Sequence, residues 1–539
     1  MPTIQFKGKS FVQNYHLTVP YHELIPVPEK SLTNEVRLED NLIIHGDNLI
    51  ALKALLPIYA GKIKCIYIDP PYNTGTERWV YNDNVNSPMI REWLGKVVDK
   101  EDLTRHDKWL CMMMPRLKLL HELLREDGVI FVSCDDNEQA RLRMLMDEIF
   151  GESNFIANIS WEKRYTRSNN AKLFYSLKDS ILLYRKSPAV QVLREPRTEK
   201  ANSIYKNPDN DPRGPWTTSS YVNPATKEER PNLVYPIINP YTGAIIEHET
   251  HAWKYDYNEH LRHVRENRLW WGKNKNAKYP RLKVFLSESD GGLVPVDLWR
   301  YETAGTTDEG GEQLKSIFGS AVFDNPKPTK LIRKMFELIL DSEEEEIVLD
   351  CFAGSGTTAH ALLEYNQQYQ TNHKFILIEM EDYADSITAE RVRRVIQGVP
   401  NAEDEALKRG FGGTFSFFRV GAAIDVQGLL TGENLPPYIE LARYVFYTAT
   451  GEAFDPSKVD ESRFYIGSSS KYEVYLVYRP DLSFLKTATI NLEFAEGLGP
   501  YQGKKRLVFA PMKYLDEYYL EKYQIEFAQL PYEIFRFKG

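Results

Sequence analysis

Short apolar runs alternate with stretches of helical periodicity along the first part of the chain. Asn41 to His45 (NLIIH) and Lys64 to Ile68 (KCIYI) are β-branched runs of the kind that form buried parallel strands. Leucines at three- and four-residue spacing between Pro115 and Asp127 predict a helix with one apolar face. Asp127 and Gly128 are expected to end this helix, and Val129 to Ser133 (VIFVS) to form the next strand.

The alternation continues beyond that strand. Asn137 is expected to cap a further helix. Phe155 to Trp161 and Ser180 to Tyr184 then predict two more sheet strands. This succession of strands and helices predicts a doubly wound α/β sheet.

The pattern weakens from about Glu195 to Tyr301, where Pro, Asn, Tyr, Trp and charged residues are frequent. It returns with a strand at Ile347 to Leu349, a helix from Thr357 and a strand at Phe375 to Ile378. We therefore predict one α/β domain that is interrupted by an insertion.

The tail from about residue 410 is rich in aromatic residues. Tyr472 to Tyr478 (YEVYLVY) predicts a strand, and Leu515 to Tyr523 predicts a final helix. The chain is thus predicted to contain an N-terminal arm (1–40), the first half of the α/β domain (41–190), an inserted region (191–305), the second half (306–409) and a separate mixed α/β C-terminal domain (410–539).

Composition narrows the class of protein. A chain of 539 residues exceeds what one hydrophobic core organises. No run of about 18 apolar residues occurs, which predicts no membrane span, and Met1 to Phe11 lack the apolar core of a secretory signal. The scattered cysteines form no CxxC pair, which disfavours a zinc site or disulfide framework and favours a cytoplasmic location: Cys65, Cys111, Cys134 and Cys351.

The formal net charge of −9 means that any nucleic-acid contact must come from a local basic surface. Residues 254–283 provide one, with nine Lys or Arg against three acids and several aromatic residues between them. Such a segment predicts contacts with phosphates and base edges, although a solvated helix with an aromatic core stripe would have the same composition. The candidates within it are Arg262, Arg265, Arg268, Lys273, Lys275 and Arg281.

A glycine-rich loop from Asp350 to Ala359 (DCFAGSGTTA) follows a predicted strand and opens a helix. Glycines there let the backbone approach a ligand at the helix N-terminus, and Glu379, which ends the next strand, can accept hydrogen bonds from ribose hydroxyls. The G-x-G-x-x-A pattern from Gly354 also fits an NAD-dependent oxidoreductase. A P-loop NTPase is disfavoured because no lysine follows Gly356, and a plain strand-turn-helix remains open. The loop alone indicates a nucleotide-like ligand and no reaction.

The tetrapeptide Asp69-Pro70-Pro71-Tyr72 follows the predicted strand at 64–68 directly. Its prolines remove backbone N–H donors and hold the chain extended. Acceptors without nearby donors suit a substrate that offers hydrogens, such as an exocyclic amine, and the ring of Tyr72 can stack on a base swung out of a duplex. The alternative is a rigid turn with Tyr72 packed inward.

Together these motifs make the chain resemble the β class of amino-methyltransferases, most closely the modification subunits of type III restriction-modification systems. The resemblance spans roughly residues 45 to 395, and the tetrapeptide precedes the glycine loop, which is the order of the β class. The motifs that carry it are GDNL (46–49), DPPYNTG (69–75), DGVIFVSCDD (127–136), FDNPKPTKLI (323–332), DCFAGSGTTAHA (350–361) and ILIEM (376–380).

The resemblance implies a Rossmann-like methyltransferase sheet in permuted order and transfer of a methyl group from S-adenosylmethionine to adenine N6. Asp69 and the Pro70 carbonyl would bind the target amine, with Pro71 in the same rigid turn and Tyr72 stacked on the flipped base. Transfer would be direct and in line, without a covalent intermediate or a metal.

The resemblance also implies how the cofactor is held. Asp47 would meet its adenine amine, Glu379 its ribose, and Lys327 lies in the motif that closes over its methionine end. The residues implied within the glycine loop are Asp350, Phe352, Ala353, Gly354, Ser355, Gly356 and Thr357.

In such enzymes the region between the two halves is where target recognition is expected, so the basic residues of the insertion would bind double-stranded DNA. Arg78, Lys163 and Arg164 follow predicted strands and could line the cleft for the flipped base or contact phosphates. No helicase motif or nuclease site is evident, so cleavage would require a separate restriction subunit, and a solitary or phage-borne methyltransferase stays open. The C-terminal domain would serve as a homodimer surface, a dock for that partner, or a stabilising cap.

Two other functions stay open at this point. Cytosine-N4 methylation shares the geometry, and an Asp at position 69 favours adenine by family habit alone. A dinucleotide oxidoreductase would explain the glycine loop but would leave the Pro-Pro-Tyr sequence without a role.

Overall fold

A computed structural model of the chain describes residues 3–74, 104–167, 173–288, 291–341, 343–424, 426–432 and 435–530. The chain divides into two compact units, of which the first comprises Met1–Val192 and Val296–Gly539 and the second Leu193–Pro295. The predicted insertion extends to residue 305, whereas residues 296–305 belong to the first unit, because the strand Leu298–Trp299 is paired in its central sheet.

The first unit opens with strands of the central sheet. These are β1 (His22–Pro26), β2 (Leu42–His45), β3 (Ile63–Ile68), β4 (Leu124–Cys134), β5 (Phe155–Glu162) and β6 (Lys178–Arg185). The α-helices of this part are Lys9–Val12, Tyr15–Thr18, Asn48–Tyr59, Arg105–Leu123 and Gln139–Phe150. The strands expected at 41–45, 64–68, 155–161 and 180–184 are confirmed within two residues at each end, whereas the strand expected at 129–133 begins five residues earlier, at Leu124.

The turn expected at Asp127 and Gly128 is wrong. The helix ends at Leu123, and β4 begins at Leu124, where it pairs with Ile63 next to an irregularity of register. A Cβ on Gly128 would lie 2.8 Å from the Ile63 carbonyl oxygen, so the glycine allows close approach of two strands within the sheet.

The cap expected from Asn137 is also wrong. The N-cap residue of the helix Gln139–Phe150 is Glu138, and it makes no side-chain capping bond. Asn137 instead donates its side-chain amide to Asp135 Oδ2 at 2.7 Å. A local turn therefore takes the amide that a helix cap would have used.

The second unit is built from short strands around an aromatic core. Tyr221, Trp253 and Trp271 are buried together with Tyr235 and Leu282. Its strands are β7 (Trp216–Ser220), β8 (Val222–Thr226), β9 (Ile237–Ile238), β10 (Ile245–Ile246), β11 (His251–Trp253), β12 (Leu269–Trp270) and β13 (Arg281–Phe285), and its helices are Glu199–Asn202 and Tyr257–Arg265.

The chain then returns to the central sheet. The strands are β14 (Leu298–Trp299), β15 (Ile347–Asp350), β16 (Lys374–Glu379) and β17 (Ser416–Ala423). The helices here are Tyr301–Ala304, Thr307–Phe318, Thr329–Ile339, Thr357–Tyr369, Glu390–Gln397 and Glu405–Arg409, with a π-helix at Ala384–Ala389.

In the central sheet the strand order is β1-β17-β2-β16-β15-β3-β4-β6-β5-β14 among the described residues. The strands from β17 to β4 in this order run parallel, and the pairs β1–β17, β4–β6 and β5–β6 are antiparallel. Strands from both halves of the chain alternate at the centre, which is the permuted α/β arrangement that the resemblance implies.

The C-terminal segment does not stand apart as predicted. Its boundary at residue 410 precedes β17, which belongs to the central sheet, and the helix Tyr438–Thr450 packs on the helix Asn48–Tyr59. Leu441 and Leu52 share one buried core as a result. The amphipathic helix covers apolar surface that the sheet domain alone would expose.

The remaining elements follow that helix. The strands are β18 (Tyr465–Ser468), β19 (Tyr472–Leu476), β20 (Thr489–Ile490), β21 (Lys505–Ala510), β22 (Met512–Lys513) and β23 (Ile525–Gln529). The helices Val426–Thr431, Leu482–Thr487, Leu492–Gly497 and Glu517–Lys522 are short. Among the described residues, none of the helices combines the length and apolar character that a membrane crossing requires.

Candidate active site

Carboxylates follow or end neighbouring parallel strands at one edge of the central sheet. Asp47 follows β2, Glu379 ends β16, Asp350 ends β15 and Asp69 follows β3. These strands are adjacent in the order β2-β16-β15-β3, so their carboxyl ends meet at one edge. The fold thereby joins the tetrapeptide, early in the chain, to the glycine loop, late in the chain.

A cavity of about 320 Å³ lies at this edge. Its wall includes Arg116 and Tyr383, which the sequence patterns did not single out, and Phe323, the first residue of the motif at 323–332. Gly356, Pro70 and Tyr72 are not part of the wall. The predicted residues that line it are Asp47, Asp69, Pro71, Lys327, Asp350, Phe352, Ala353, Gly354, Ser355, Thr357 and Glu379.

The glycine loop needs its glycines for conformation and for space. Gly354 and Gly356 have φ values of 50° and 77°, in the left-handed region that costs other residues strain. A Cβ on Gly354 would lie 3.2 Å from Phe323 Cζ, and one on Gly356 would lie 3.0 Å from the Thr388 carbonyl oxygen. The loop is therefore a tight backbone turn, with Gly354 in the cavity wall and Gly356 outside it.

Glu379 holds this turn from the neighbouring strand. Its Oε2 accepts a hydrogen bond from Gly354 N at 2.7 Å, and its Oε1 accepts from Met380 N and Glu381 N at 3.0 Å each. Burial raises the pKa of Glu379. A carboxylate has about four acceptor sites, so Glu379 can still accept about one hydrogen bond from a hydroxyl group in the cavity.

Asp350 braces the start of the same turn. Its Oδ1 accepts from Phe352 N at 3.0 Å and its Oδ2 from Thr358 Oγ1 at 2.5 Å. Burial raises the pKa of Asp350 to about 7. The geometry therefore gives Asp350 a structural part in addition to its place in the wall.

Arg391 supports the loop from below, and no sequence pattern pointed to it. Its buried guanidinium donates to Ser355 Oγ at 2.9 Å and to Thr357 Oγ1 at 2.7 Å. Burial lowers the pKa of Arg391 to about 10. The hydroxyls of Ser355 and Thr357 are thus already bound within the protein.

Asp47 caps the helix Asn48–Tyr59. Its Oδ1 accepts from Leu49 N at 2.8 Å and from Ile50 N at 3.3 Å. Arg116 approaches Asp47 Oδ2 at 3.6 Å and donates through Nε to Asn48 Oδ1 at 2.5 Å. The carboxylate is held in place from both sides, with Oδ2 at the cavity.

The tetrapeptide is anchored by one carbonyl and leaves other acceptors open. Pro71 O accepts the indole N–H of Trp109 at 2.7 Å. Within the described part of the chain no donor reaches Pro70 O, and Asp69 Oδ1 and the Tyr72 hydroxyl are buried without a hydrogen-bond partner. Burial, followed by the nearby Asp69 carboxylate, raises the pKa of Tyr72 well above its usual value.

The residue after the tetrapeptide is fixed as well. Asn73 has a φ of 57° and donates to Glu138 Oε1 at 2.5 Å. His106 Nδ1 lies 2.5 Å from the same oxygen. Burial raises the pKa of Glu138. The end of the tetrapeptide thus rests on a buried polar cluster.

Lys327 connects the two halves of the site. Its Nζ forms an ion pair with Asp69 Oδ2 and lies 5.2 Å from the centre of the Tyr72 ring. A Cβ on Gly310 would lie 2.2 Å from Pro326 O, so the backbone before Lys327 rests directly on the helix Thr307–Phe318.

The basic residues predicted for DNA fall into two groups. In the second unit, Arg265 and Lys273 are exposed and have no ion-pair partner among the described residues, and Lys275 lies over the Tyr241 ring at 4.6 Å. Arg268 is instead bound by Glu266, at 2.6 Å, and Glu288. Because the carboxylates of Glu266 and Glu288 already pair with the Arg268 guanidinium, a contact between Arg268 and a DNA phosphate is disfavoured.

The other basic candidates are likewise partly engaged. Arg262 pairs with Glu259 at 3.0 Å, and Arg281 donates to Thr218 Oγ1 at 2.8 Å. In the first unit, Lys163 pairs with the buried Asp179 at 2.6 Å and Arg164 donates to the Tyr175 hydroxyl at 2.7 Å. Lys163 is therefore disfavoured as a phosphate ligand, and Arg78 lies outside the described residues.

Within the described ranges, no group of three or more His, Cys, Asp or Glu side chains could hold a metal ion.

Comparison with known proteins identifies a family whose model matches this chain. A family model described as DNA methylase, of the N6/N4 type, matches residues 63–390, which include the tetrapeptide and the glycine loop. The chain is 32% identical over 422 residues to the type III restriction-modification enzyme StyLTI Mod subunit of Salmonella typhimurium, which covers 73% of this chain and 62% of that protein.

Two further relatives have similar identity. The EcoPI Mod subunit of Escherichia phage P1 is 28% identical over 465 residues, with 76% of this chain and 70% of the relative covered. The type II methyltransferase M.KpnI of Klebsiella pneumoniae is 31% identical over 350 residues, with 62% and 79% covered. The match thus spans less than two thirds of the StyLTI subunit and most of M.KpnI.

Proposed function

The chain belongs to the N6/N4 DNA methylase family, and we propose that it transfers a methyl group from S-adenosylmethionine to adenine N6 in double-stranded DNA. The observation that carries the proposal is the shared cavity of Asp69 and the glycine loop. A donor of methyl groups and an acceptor amine can meet only where both sets of ligands face one space.

The residues of the cavity fit this cofactor. The narrow turn at Gly354 leaves backbone close to the wall, Glu379 has acceptor capacity for about one ribose hydroxyl, and Asp47 in the wall can accept from an adenine amine. Phe323 and Phe352 add flat apolar surface. When bound, S-adenosylmethionine would supply a methyl group activated by a sulfonium.

The tetrapeptide provides what the target amine needs. Asp69 Oδ1 and Pro70 O are open acceptors, and Tyr72 presents an aromatic ring beside them. Hydrogen bonds from an exocyclic amine to these oxygens would shift electron density onto its nitrogen and fix its direction. Bound to these oxygens, the amine nitrogen would be positioned to accept a methyl group, and the proton that it then loses would pass to solvent.

Adenine is the base we propose, because Asp at position 69 is the family habit for adenine. Cytosine N4 is the second candidate, since the same acceptors would bind its exocyclic amine. The oxidoreductase reading is not favoured, because the family match includes the tetrapeptide that such an enzyme would not use.

The proposed partners follow from the relatives. Two of them are named Mod subunits of type III restriction-modification enzymes, so we propose that this chain modifies the DNA that a separate restriction subunit would cleave. Arg265, Lys273 and Lys275 would contact phosphates, and the protein would act in the cytoplasm as a homodimer.

The test is incubation of the full chain with plasmid DNA from a methylation-deficient host and methyl-labelled S-adenosylmethionine, followed by nucleoside analysis. The proposal predicts label in N6-methyladenine at defined positions. Label in N4-methylcytosine would contradict the base, and no label in any nucleic acid would contradict the function.

A further inference from the structure

We propose that Lys327 is shared between Asp69 Oδ2 and the carboxylate of S-adenosylmethionine, and that it leaves Asp69 when the cofactor binds. In the free protein Lys327 would keep Asp69 Oδ2 occupied, and with cofactor present it would pair with the cofactor carboxylate instead. This inference rests on the proposed function, since it assigns both ligands of the cavity.

The ammonium of Lys327 lies near both groups of the tetrapeptide that would bind the target base. It pairs with Asp69 Oδ2 and lies 5.2 Å from the centre of the Tyr72 ring. A Lys ammonium carries N–H donors, as an exocyclic amine does. The free protein thus satisfies part of its own substrate site.

One of the two carboxylate oxygens of Asp69 lacks a hydrogen-bond donor among the described residues. Asp69 Oδ1 is buried and, among the described residues, has no hydrogen-bond partner. A buried acceptor without a donor costs free energy. The arrangement therefore satisfies one oxygen and leaves the second for a ligand.

The charges of the cavity wall make Lys327 the cation that can move. Among the described residues of the wall, the basic side chains are Arg116 and Lys327. The wall also carries five carboxylates: Asp47, Asp69, Asp350, Glu379 and Glu381.

Arg116 is held in place. It is buried, donates to Asn48 Oδ1 at 2.5 Å and to Met112 O at 2.9 Å, and faces Asp47 at 3.6 Å. A ligand carboxylate that enters this acidic cavity therefore depends on Lys327 for a positive partner, at the expense of Asp69.

The backbone of Lys327 is fixed while its side chain is long and flexible. Prolines flank it, and Pro326 O rests against Gly310. A lysine side chain has four carbons with free rotamers. The proposed change is therefore a swing of the side chain about a fixed backbone position.

The test measures binding of S-adenosylhomocysteine, which keeps the carboxylate and cannot transfer a methyl group. Isothermal titration is done on the wild type, Lys327→Met, Asp69→Asn and the double variant. Lys330→Met is the matched control, because Lys330 is exposed and pairs with Glu309 at 3.2 Å.

Competition for Lys327 predicts opposite effects of the single changes. Lys327→Met should weaken binding about tenfold, and Asp69→Asn should tighten it about tenfold, since it releases Lys327. In the Lys327→Met background, Asp69→Asn should have no effect. Lys330→Met should bind as the wild type does.

Asp69→Asn with unchanged or weaker binding would overturn the inference, as would the same gain in the absence of Lys327. Binding of 5′-methylthioadenosine, which lacks the carboxylate, should be equal in all variants. A wild type that binds neither ligand would refute the proposed function, whereas a wild type that binds both and shows no effect of Asp69→Asn would refute the inference alone.

Discussion

The indole N–H of Trp109 donates a hydrogen bond to the carbonyl oxygen of Pro71 at 2.7 Å. Trp109 is fully buried on the helix Arg105–Leu123, so this contact ties the tetrapeptide to a rigid element. Because Pro71 O is occupied, Pro70 O and Asp69 Oδ1 are the acceptors to which we assign the substrate amine. The direction of these acceptors depends on a residue outside the motif.

The first prediction concerns this contact. Trp109→Phe keeps an aromatic ring but removes the donor, which lets the tetrapeptide shift. We expect kcat of methyl transfer to fall roughly 10- to 100-fold, with the Kd of S-adenosylhomocysteine unchanged. Trp299→Phe is the control, since it removes a similar bond, from Trp299 Nε1 to Val296 O at 3.0 Å, at β14. Equal loss of kcat in both variants would mean that general stability, and not the position of the tetrapeptide, is affected.

The second prediction concerns Gly356. Gly356→Ala forces alanine to adopt a φ of 77° and places its Cβ 3.0 Å from Thr388 O, which costs about 1–3 kcal/mol if the turn is kept. The loop should shift, and the Kd of S-adenosylhomocysteine should rise by about tenfold or more in calorimetry. Gly311→Ala, in the helix Thr307–Phe318 with open space around it, should leave that Kd unchanged. Wild-type affinity in Gly356→Ala would contradict the role given to the loop.

The third prediction is a pH dependence of stability. Burial raises the pKa of Asp350 to about 7, far above its value in the unfolded chain. As pH rises from about 4 to 7, the unfolded chain is ionised while native Asp350 stays protonated, so this residue lowers the free energy of unfolding over that window and has its full cost above about pH 7. Asp350→Asn removes the titration and keeps an oxygen for Phe352 N.

Urea unfolding at about pH 5 and about pH 8 checks this expectation. The free energy of unfolding of Asp350→Asn relative to the wild type should increase by roughly 2 kcal/mol between the two conditions. A difference that is independent of pH would show that Asp350 is ionised in the native protein throughout this range.

The sequence was sufficient to predict the positions of Asp69 and Glu379 because each lies beside a strand that its own apolar run defines. β2, β3, β15 and β16 were expected from such runs, and Asp69 and Glu379 are at their ends. Once these strands are parallel and adjacent, their polar ends must meet.

The supporting residues could not be predicted, because their contacts cross long stretches of chain. Trp109 contacts a residue 38 positions away, and Arg391 reaches back 36 positions to Ser355. Nothing in the local pattern at Trp109 or Arg391 differs from an ordinary buried helix residue. The same limit applies to Lys163, whose neutralisation by Asp179 depends on the pairing of β5 with β6.

The fourth prediction separates free from neutralised basic residues. Lys273→Ala should weaken binding to duplex DNA and reduce the slope of log K against log salt by about 0.9, the value for one phosphate contact. Arg268→Ala should change that slope little, because Arg268 is already bound by Glu266 and Glu288. Fluorescence anisotropy over a range of salt concentrations gives both slopes. A larger change from Arg268→Ala than from Lys273→Ala would contradict the assignment.

The central claim is that both reactants bind at one cavity, where the tetrapeptide holds the target amine and the glycine loop holds the cofactor. The most direct measurement is single-turnover transfer of labelled methyl groups to plasmid DNA by Tyr72→Ala and the wild type, each saturated with S-adenosylmethionine. We predict N6-methyladenine from the wild type and a loss of transfer of about a thousandfold or more in Tyr72→Ala, with the Kd of S-adenosylhomocysteine unchanged. Wild-type transfer by Tyr72→Ala, or a loss fully explained by weaker cofactor binding, would contradict the claim.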